Sequence, residues 1–252
     1  MKRVVHKAYT HHQETLDKYL INFDSMGENY GNQNRNSLKL FELDGKLINA
    51  KSFKVPNIVN KLVYRFFRKS KAQRSFEYAG RLLEIGIGTP QPIAYYEFPK
   101  PLTFFKSYYV SEQIKCDFTY RDLNHNFEIE SHEAILRAFT RFTFDLHQKE
   151  VHFLDHSPGN TLIQIKDEGY NFLLVDLNRM EFRPLDLNTR LKNFSRLTPH
   201  KDMVRIMSDE YARCLGESSN KVFELMWRYT LEFREKYERK KRIKRKLKFW
   251  KK

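Results

Sequence analysis

Apolar residues recur at helical spacing in three stretches of the chain and gather into short strand-like runs in two others. Ser37 to Leu43 and Lys46 to Phe53 flank Asp44-Gly45, a pair favoured in two-residue hairpins because both central positions take positive φ. Ser70-Lys71-Ala72-Gln73 fits a capping box, and Ala72, Phe76, Ala79 and Leu83 form a helical stripe that Gly86 and Pro90 stop. Ile135, Ala138, Phe139, Phe142 and Leu146 line one face of a buried helix over Glu133 to Lys149. Thr161 to Ile165 and Asn171 to Val175 read as strands around a Gly-containing turn at Lys166 to Tyr170. Val222, Met226, Thr230 and Phe233 mark a final helix over Lys221 to Tyr237, while Asp122 to Ser131 reads as a loop. The fold class expected is α+β in one domain over 1–252: an N-terminal lobe of antiparallel strands plus a helix over about 20–114, a mainly helical lobe over 115–238, and a basic tail at 239–252.

Between the third and fourth of these patterns lies the chemistry. Asp155-His156-Ser157-Pro158-Gly159-Asn160 places an aspartate five residues before an asparagine, with Pro158 and Gly159 shaping a turn, and Asp176 ends the hairpin that follows. Phosphoryl transfer from a nucleotide needs this set: one carboxylate at the attacking hydroxyl, then an amide oxygen and a second carboxylate on the metal. The plain alternative is an Asp-Pro-Gly surface turn followed by an ordinary hairpin. A kinase also needs a strand lysine for the nucleotide phosphates and a helix glutamate to hold that lysine. Lys51, on the second strand of the first hairpin, is the candidate lysine; Lys54 is its rival, because a one-residue slip re-aims every strand side chain. Glu77, one step off the buried helical stripe, is the candidate partner, with Glu84 as a substitute nearer the helix end.

These positions, in this order, resemble the lipopolysaccharide kinase family, the Kdo and core-heptose kinases of the protein-kinase-like superfamily. The resemblance spans roughly residues 20 to 200 and rests on Lys51-Ser52-Phe53-Lys54, on Arg65 to Ala79 through Glu77, on Gly88-Thr89-Pro90-Gln91-Pro92, and on Asp155 to Asn160 with Val175-Asp176. It implies a Mg-ATP-dependent enzyme with Lys51 on the phosphates, Glu77 as its partner, Asp155 as base, and Asn160 and Asp176 as magnesium ligands. It also implies that Tyr108 to Ile114 is the inter-lobe strand and hinge, with backbone around Glu112 to Ile114 meeting the adenine. The implied acceptor is a sugar hydroxyl, Kdo or heptose, on an anionic glycolipid.

The chain departs from the family pattern at several points. A full Gly-x-Gly-x-x-Gly loop is missing; Gly27 and Gly31, in Gly-Glu-Asn-Tyr-Gly before the first hairpin, are the candidates for covering the phosphates. Phe153 stands where the usual loop histidine would be, and Leu154 where an arginine would precede the catalytic aspartate, which argues against activation by a phosphorylated loop. Leu177-Asn178-Arg179 follows Asp176 in place of Phe-Gly, and no Ala-Pro-Glu segment comes after it, which favours a small or glycolipid acceptor over a peptide. Two other classes fit parts of the pattern: a RIO-like kinase acting on protein or ribosomal substrates, and a kinase-like protein that binds without chemistry.

Composition and charge narrow the setting. The 252 residues are 40% apolar and include 21 Phe and 14 Tyr, enough for a substantial core. No apolar run reaches membrane-spanning length and no apolar stretch follows the first residues, so a cytoplasmic protein is expected, with Cys116 and Cys214 as free thiols and no histidine spacing of a metal site. The net charge is +15, and residues 234–252 hold twelve Lys or Arg against Glu235 and Glu238. Ile243, Leu247 and Trp250 lie at helical spacing among those cations, as on a segment that rests on an anionic bilayer at the inner membrane face. A solvated basic end is the plainer reading. Nucleic acid would attract the same charges, but no nucleic-acid-binding motif supports it elsewhere.

Overall fold

The fold is described from a computed structural model at residues 1–31, 36–53, 69–99 and 104–249. It comprises two compact units, one of residues 1–115 with 173–179, the other of 116–172 with 180–252.

The first unit is built on a six-stranded sheet in the order β1-β5-β6-β4-β3-β2, antiparallel at every pairing. Its strands are β1 (Lys2–Val5), β2 (Glu28–Tyr30), β3 (Ser37–Leu43), β4 (Lys46–Phe53), β5 (Pro92–Pro99) and β6 (Phe104–Glu112). Asp44 and Gly45 both take positive φ, 49° and 71°, so the hairpin turn has the hand that matches strand twist. Strand side chains alternate between faces, and the two faces of the sheet are covered differently. On one, Leu16 and Leu20 of α1 (Gln13–Ile21) pack with Phe23, Phe41, Ile48, Ala50, Tyr96 and Val110. On the other, Phe53, Tyr95 and Tyr109 pack with Ala72 and Phe76 of α2 (Lys71–Glu84). Lys51, two residues from Phe53 along β4, therefore shares the α2 face.

Helix α2 begins where the capping pattern places it: the Ser70 hydroxyl accepts the Gln73 N–H at 3.0 Å. Its buried stripe runs through Ala72, Ser75, Ala79 and Leu82, and Leu83 lies at the surface. The unit extends further toward the N-terminus than the pattern suggests. Residues 2–21 supply an edge strand, a 3-10 turn at Lys7–His12 and α1, which packs on one sheet face.

The second unit is mainly helical. It holds β7 (Phe118–Thr119), α3 (Tyr120–His125), α4 (His132–Gln148), β8 (Val151–Phe153), β9 (Thr161–Lys166), β10 (Gly169–Leu174) except its last two residues, β11 (Met180–Phe182), α5 (Leu187–Asn193), α6 (Lys201–Leu215) and α7 (Ser219–Phe249). Its core joins Phe139 of α4, Met207 and Tyr211 of α6, and Val222 and Met226 of α7. The stretch expected as a loop from Asp122 is partly helix: Thr119 and Asp122 form a capping box, and the Asn124 amide reaches the Leu197 carbonyl at 2.7 Å. At the other end, the expected division between final helix and tail is absent. Helix α7 runs unbroken to Phe249 because nothing from Ser219 onward is Gly or Pro and Lys and Arg are good helix formers. Residues 239–247 of that helix are exposed on every side.

Candidate active site

In the first unit, Lys51 and Asp176 meet. Lys51 Nζ lies 2.7 Å from Asp176 Oδ1 in a partly buried ion pair, and Phe53 lies under the ammonium with its ring centre at 5.4 Å. Strand register sets the lysine, since Lys51 sits opposite Leu38 on one side and Tyr109 on the other. Backbone bonds set the aspartate. Two residues earlier, the Leu174 N–H donates to the Gly88 carbonyl at 2.9 Å and the Thr89 hydroxyl donates to the Leu174 carbonyl at 2.8 Å. Asp176 itself is left-handed, φ 59°, a conformation that Asp tolerates better than most side chains, and the Asn178 amide donates to its Oδ1 at 2.6 Å.

Glu77 has different partners from the one expected. Lys69 Nζ lies 2.8 Å from its carboxylate, and the Gln73 amide donates to it at 2.9 Å from one turn earlier. Lys51 thus takes Asp176 where the spacing predicts Glu77, and Lys69, just ahead of α2, takes the glutamate. Glu84 is exposed at the end of the same helix, and Lys54 lies outside the described residues.

Gly27 and Gly31 bracket β2, both with positive φ, 76° and 65°. They differ in surroundings. A Cβ on Gly27 would fall 2.7 Å from the Phe41 ring and 2.9 Å from the Leu40 carbonyl, so packing alone accounts for that glycine; Gly31 has open space around it. At the expected hinge, the Glu112 N–H donates to the Gln91 carbonyl and the Gln113 N–H to the Leu47 carbonyl, each at 3.0 Å. The Glu112 carboxylate accepts the Tyr9 hydroxyl at 2.7 Å, and burial with this bond pushes the phenol up to about 12. The Ile114 N–H has no partner among the described residues.

In the second unit, Phe153 at the end of β8 and the next two residues, Leu154 and Asp155, are each held by a named side chain. The Asn193 amide donates to the Phe153 carbonyl at 2.9 Å, and Arg196 Nη1 donates to the Leu154 carbonyl at 3.3 Å. The same guanidinium nitrogen lies 2.6 Å from Asp155 Oδ1, and the Asn160 amide donates to the Asp155 carbonyl at 2.8 Å. A 3-10 turn at Pro158–Asn160, closed by the Asn160 N–H on the Ser157 carbonyl, completes the loop. At its centre a guanidinium nitrogen of Arg121 lies 2.6 Å from where a Gly159 Cβ would be.

Two buried histidines underlie this loop. His147 is bonded between the Tyr211 hydroxyl at 2.8 Å and Asn193 Oδ1 at 3.2 Å, and burial lowers its pKa from 6.5 to about 4. His156, next to Asp155, is enclosed by the rings of Phe139, Phe153 and Phe194, and neither of its nitrogens has a hydrogen-bond partner among the described residues. Burial, helped by nearby His147, lowers its pKa to about 3. In both, burial favours the neutral ring. The spacing of residues does not foretell His147, Asn193 or Arg196 as site groups, because the side chains that hold Phe153 and Leu154 come from some forty positions downstream; only the adjacency of His156 to Asp155 was available as a signal.

Each unit carries oxygen donors of the kind a hard cation takes. In the second, Asn160 spends its amide N–H on the Asp155 carbonyl and keeps its Oδ1 oxygen; in the first, Asp176 carries a carboxylate. Away from these groups, His11, His12 and Asp44 bring three donor atoms within 4.8 Å of one another at the surface, a cluster that residue spacing does not predict. Cys116 and Cys214 are both unpaired thiols.

Comparison with known proteins bears on both units. The profile described as "Lipopolysaccharide kinase (Kdo/WaaP) family" matches residues 45–214. Among solved structures, WaaP in complex with acyl carrier protein superposes with a TM-score of 0.64 at 15% identity, covering 95% of this chain and 99% of that one. WbdD in complex with the kinase inhibitor LY294002 superposes with a TM-score of 0.50 at 14% identity, covering 82% of this chain and 45% of that one. No curated protein matches the sequence significantly.

Proposed function

Because this chain belongs to the lipopolysaccharide kinase (Kdo/WaaP) family, and so is an ATP-dependent phosphotransferase acting on a sugar hydroxyl, we propose that it phosphorylates Kdo or heptose of the lipopolysaccharide inner core from Mg-ATP. Lys51 holds the nucleotide phosphates, and Asp155 accepts or orients the acceptor hydroxyl proton. Asn160 and Asp176 supply the oxygen ligands for magnesium, which neutralises charge on the phosphates when bound. Gly31 covers the phosphates and Gly27 shapes the turn before it. Adenine meets the backbone between Glu112 and Ile114, where the Ile114 N–H is available to donate. With nucleotide present, Lys51 exchanges Asp176 for phosphate and Glu77. A carboxylate beside the ammonium then fixes it for the transferring group.

The observation that carries this reading is the Lys51–Asp176 ion pair at 2.7 Å. It brings a strand lysine and an aspartate 125 positions later together, as a nucleotide–metal site requires, and a chance surface turn at Asp155 to Asn160 gives no reason for it. The test is to incubate purified protein with labelled ATP, magnesium and either Kdo-lipid A, an envelope extract or ribosomal particles. Label in Kdo-lipid A is the expected result; label only in ribosomal particles supports the RIO-like alternative, and none in any fraction supports a binding protein without chemistry.

No helix among the described residues is long and apolar enough to cross a membrane. We place the enzyme in the cytoplasm at the inner membrane face, with the end of α7 as its contact with anionic lipid. Ile243 and Leu247 stand exposed among its cations, each cation contributing about 1 kcal/mol near an anionic surface. Removing residues 239–252 should spare phosphorylation of a deacylated acceptor and reduce sedimentation with anionic vesicles. Phe249→Ala with Trp250→Ala should weaken vesicle binding at unchanged charge; the Phe249 side chain and Trp250 lie outside the described residues. If that pair binds vesicles like wild type while truncation abolishes RNA binding, nucleic acid replaces lipid as the partner.

A further inference from the structure

We propose that Arg196 is a positioning residue for the phosphoryl transfer, holding Asp155 from forty-one positions downstream. The inference rests on the reading of Asp155 as the base. Leu154 leaves no cation beside the catalytic aspartate in sequence, yet the structure places one on it. Arg196 Nη1 lies 2.6 Å from Asp155 Oδ1 and donates to the Leu154 carbonyl at 3.3 Å, so one side chain fixes both the carboxylate and the backbone that presents it.

Arg196 is itself well anchored. It closes the 3-10 turn Phe194–Arg196, whose Phe194 is buried and whose preceding residue, Asn193, holds the Phe153 carbonyl. Phe233 of α7 lies under the guanidinium, 5.7 Å from ring centre to Cζ. A planar cation stacked on an aromatic ring has few rotamers left to lose, so the carboxylate it grips is held in one orientation. With Oδ1 engaged by Arg196, Asp155 presents Oδ2 to the acceptor hydroxyl. In this role the guanidinium acts through Asp155 and not on nucleotide or acceptor directly.

The arrangement predicts a particular kinetic signature. Arg196→Ala should lower kcat by about ten- to a hundredfold, the scale of an ångström-level misplacement of a catalytic group, with little change in KM for ATP. Arg196→Lys should recover part of the loss, since it restores the charge without the fork. Guanidinium ion at millimolar concentration should raise kcat of Arg196→Ala and leave wild type unchanged, while sodium chloride at equal ionic strength should do neither. In the background of Asp155→Asn, Arg196→Ala should cost little more, because the arginine works through the group already removed.

A kcat within twofold of wild type in Arg196→Ala overturns the proposal, as does a loss that guanidinium fails to rescue, or a full extra loss in the double variant. If Asp155→Asn itself keeps wild-type kcat, the reading of Asp155 as base fails and the proposal falls with it. That outcome is distinguished by the single variant alone.

Discussion

The two units hold their candidate site residues by different means. In the first, Lys51 and Asp176 are set by backbone: strand register between Leu38 and Tyr109 for one, main-chain bonds to Gly88 and Thr89 for the other. In the second, Asp155 is set by side chains, with Asn193, Arg196 and Asn160 gripping three consecutive residues. A sheet fixes the direction of every residue at once and tolerates change at any single neighbour. A side-chain cage concentrates the same task in a few polar groups, where one substitution leaves others without partners.

The largest effects should come from the two aspartates and should differ in kind. Asp155→Asn is expected to lower turnover by about two orders of magnitude or more while nucleotide binding survives. Asp176→Ala should abolish the metal-dependent rise in melting temperature with ATP, and Lys51→Met should be inactive where Lys54→Met is active. Equal thermal shifts in wild type and Asp176→Ala would remove Asp176 from the metal site, and an active Lys51→Met would move the lysine assignment to Lys54.

Acid should separate the units next. His147 and His156 have pKa values lowered from 6.5 to about 4 and about 3. A group whose folded pKa is depressed binds fewer protons when folded, so its contribution is complete above pH 6.5 and is lost as pH falls toward the folded values. The slope is about 1.4 kcal/mol per pH unit for each histidine within that window. Urea midpoints should therefore fall between pH 6.5 and pH 4, and hydrogen exchange should show the helices around His147 losing protection before β3, β4 and β6. His156→Met should flatten the dependence by about half; an unchanged slope would detach the buried histidine from acid lability.

Asn193→Ala should act on a smaller scale, about 1–3 kcal/mol of stability, since it strips a bond from buried His147 and another from the Phe153 carbonyl. A loss below about 0.5 kcal/mol in urea unfolding would show that the loop does not depend on it. Glu77 provides the smallest stability effect and a sharp contrast. Its ion pair with Lys69 is exposed, so Lys69→Ala should cost under about 1 kcal/mol and leave activity alone, whereas Glu77→Gln should lower kcat if the glutamate turns to Lys51 during the reaction. Equal activity in both variants would confine Glu77 to the surface.

The same difference in means explains what could be read from the residues alone. The Asp44-Gly45 hairpin, the Ser70-capped helix, the α4 stripe and the strands around Asp167-Glu168 all announce themselves by local spacing, and each is found where that spacing puts it. The family resemblance was legible for the same reason. Elements that depend on tertiary partners were not legible. β1 is four residues, two of them charged, and becomes a strand by pairing with β5; α3 is six residues sealed by a capping box and by Asn124 on Leu197. Arg196 and Asn193 give no local sign of their roles, because a cage is defined by which side chains meet and not by how they are spaced.

The Lys51–Asp176 ion pair has a thermodynamic consequence for the order in which ligands arrive. If Lys51 takes the nucleotide phosphates and Asp176 the magnesium, as proposed, phosphate draws the ammonium away from the carboxylate and magnesium draws the carboxylate away from the ammonium. Whichever comes first does the work of parting them, and the second finds its ligand group already released. Nucleotide and metal should therefore bind with positive synergy, each tightening the other by the same factor, beyond the attraction the two have for one another in solution. Lys51→Met removes the contest, so magnesium alone should bind the variant more tightly than wild type even as turnover disappears.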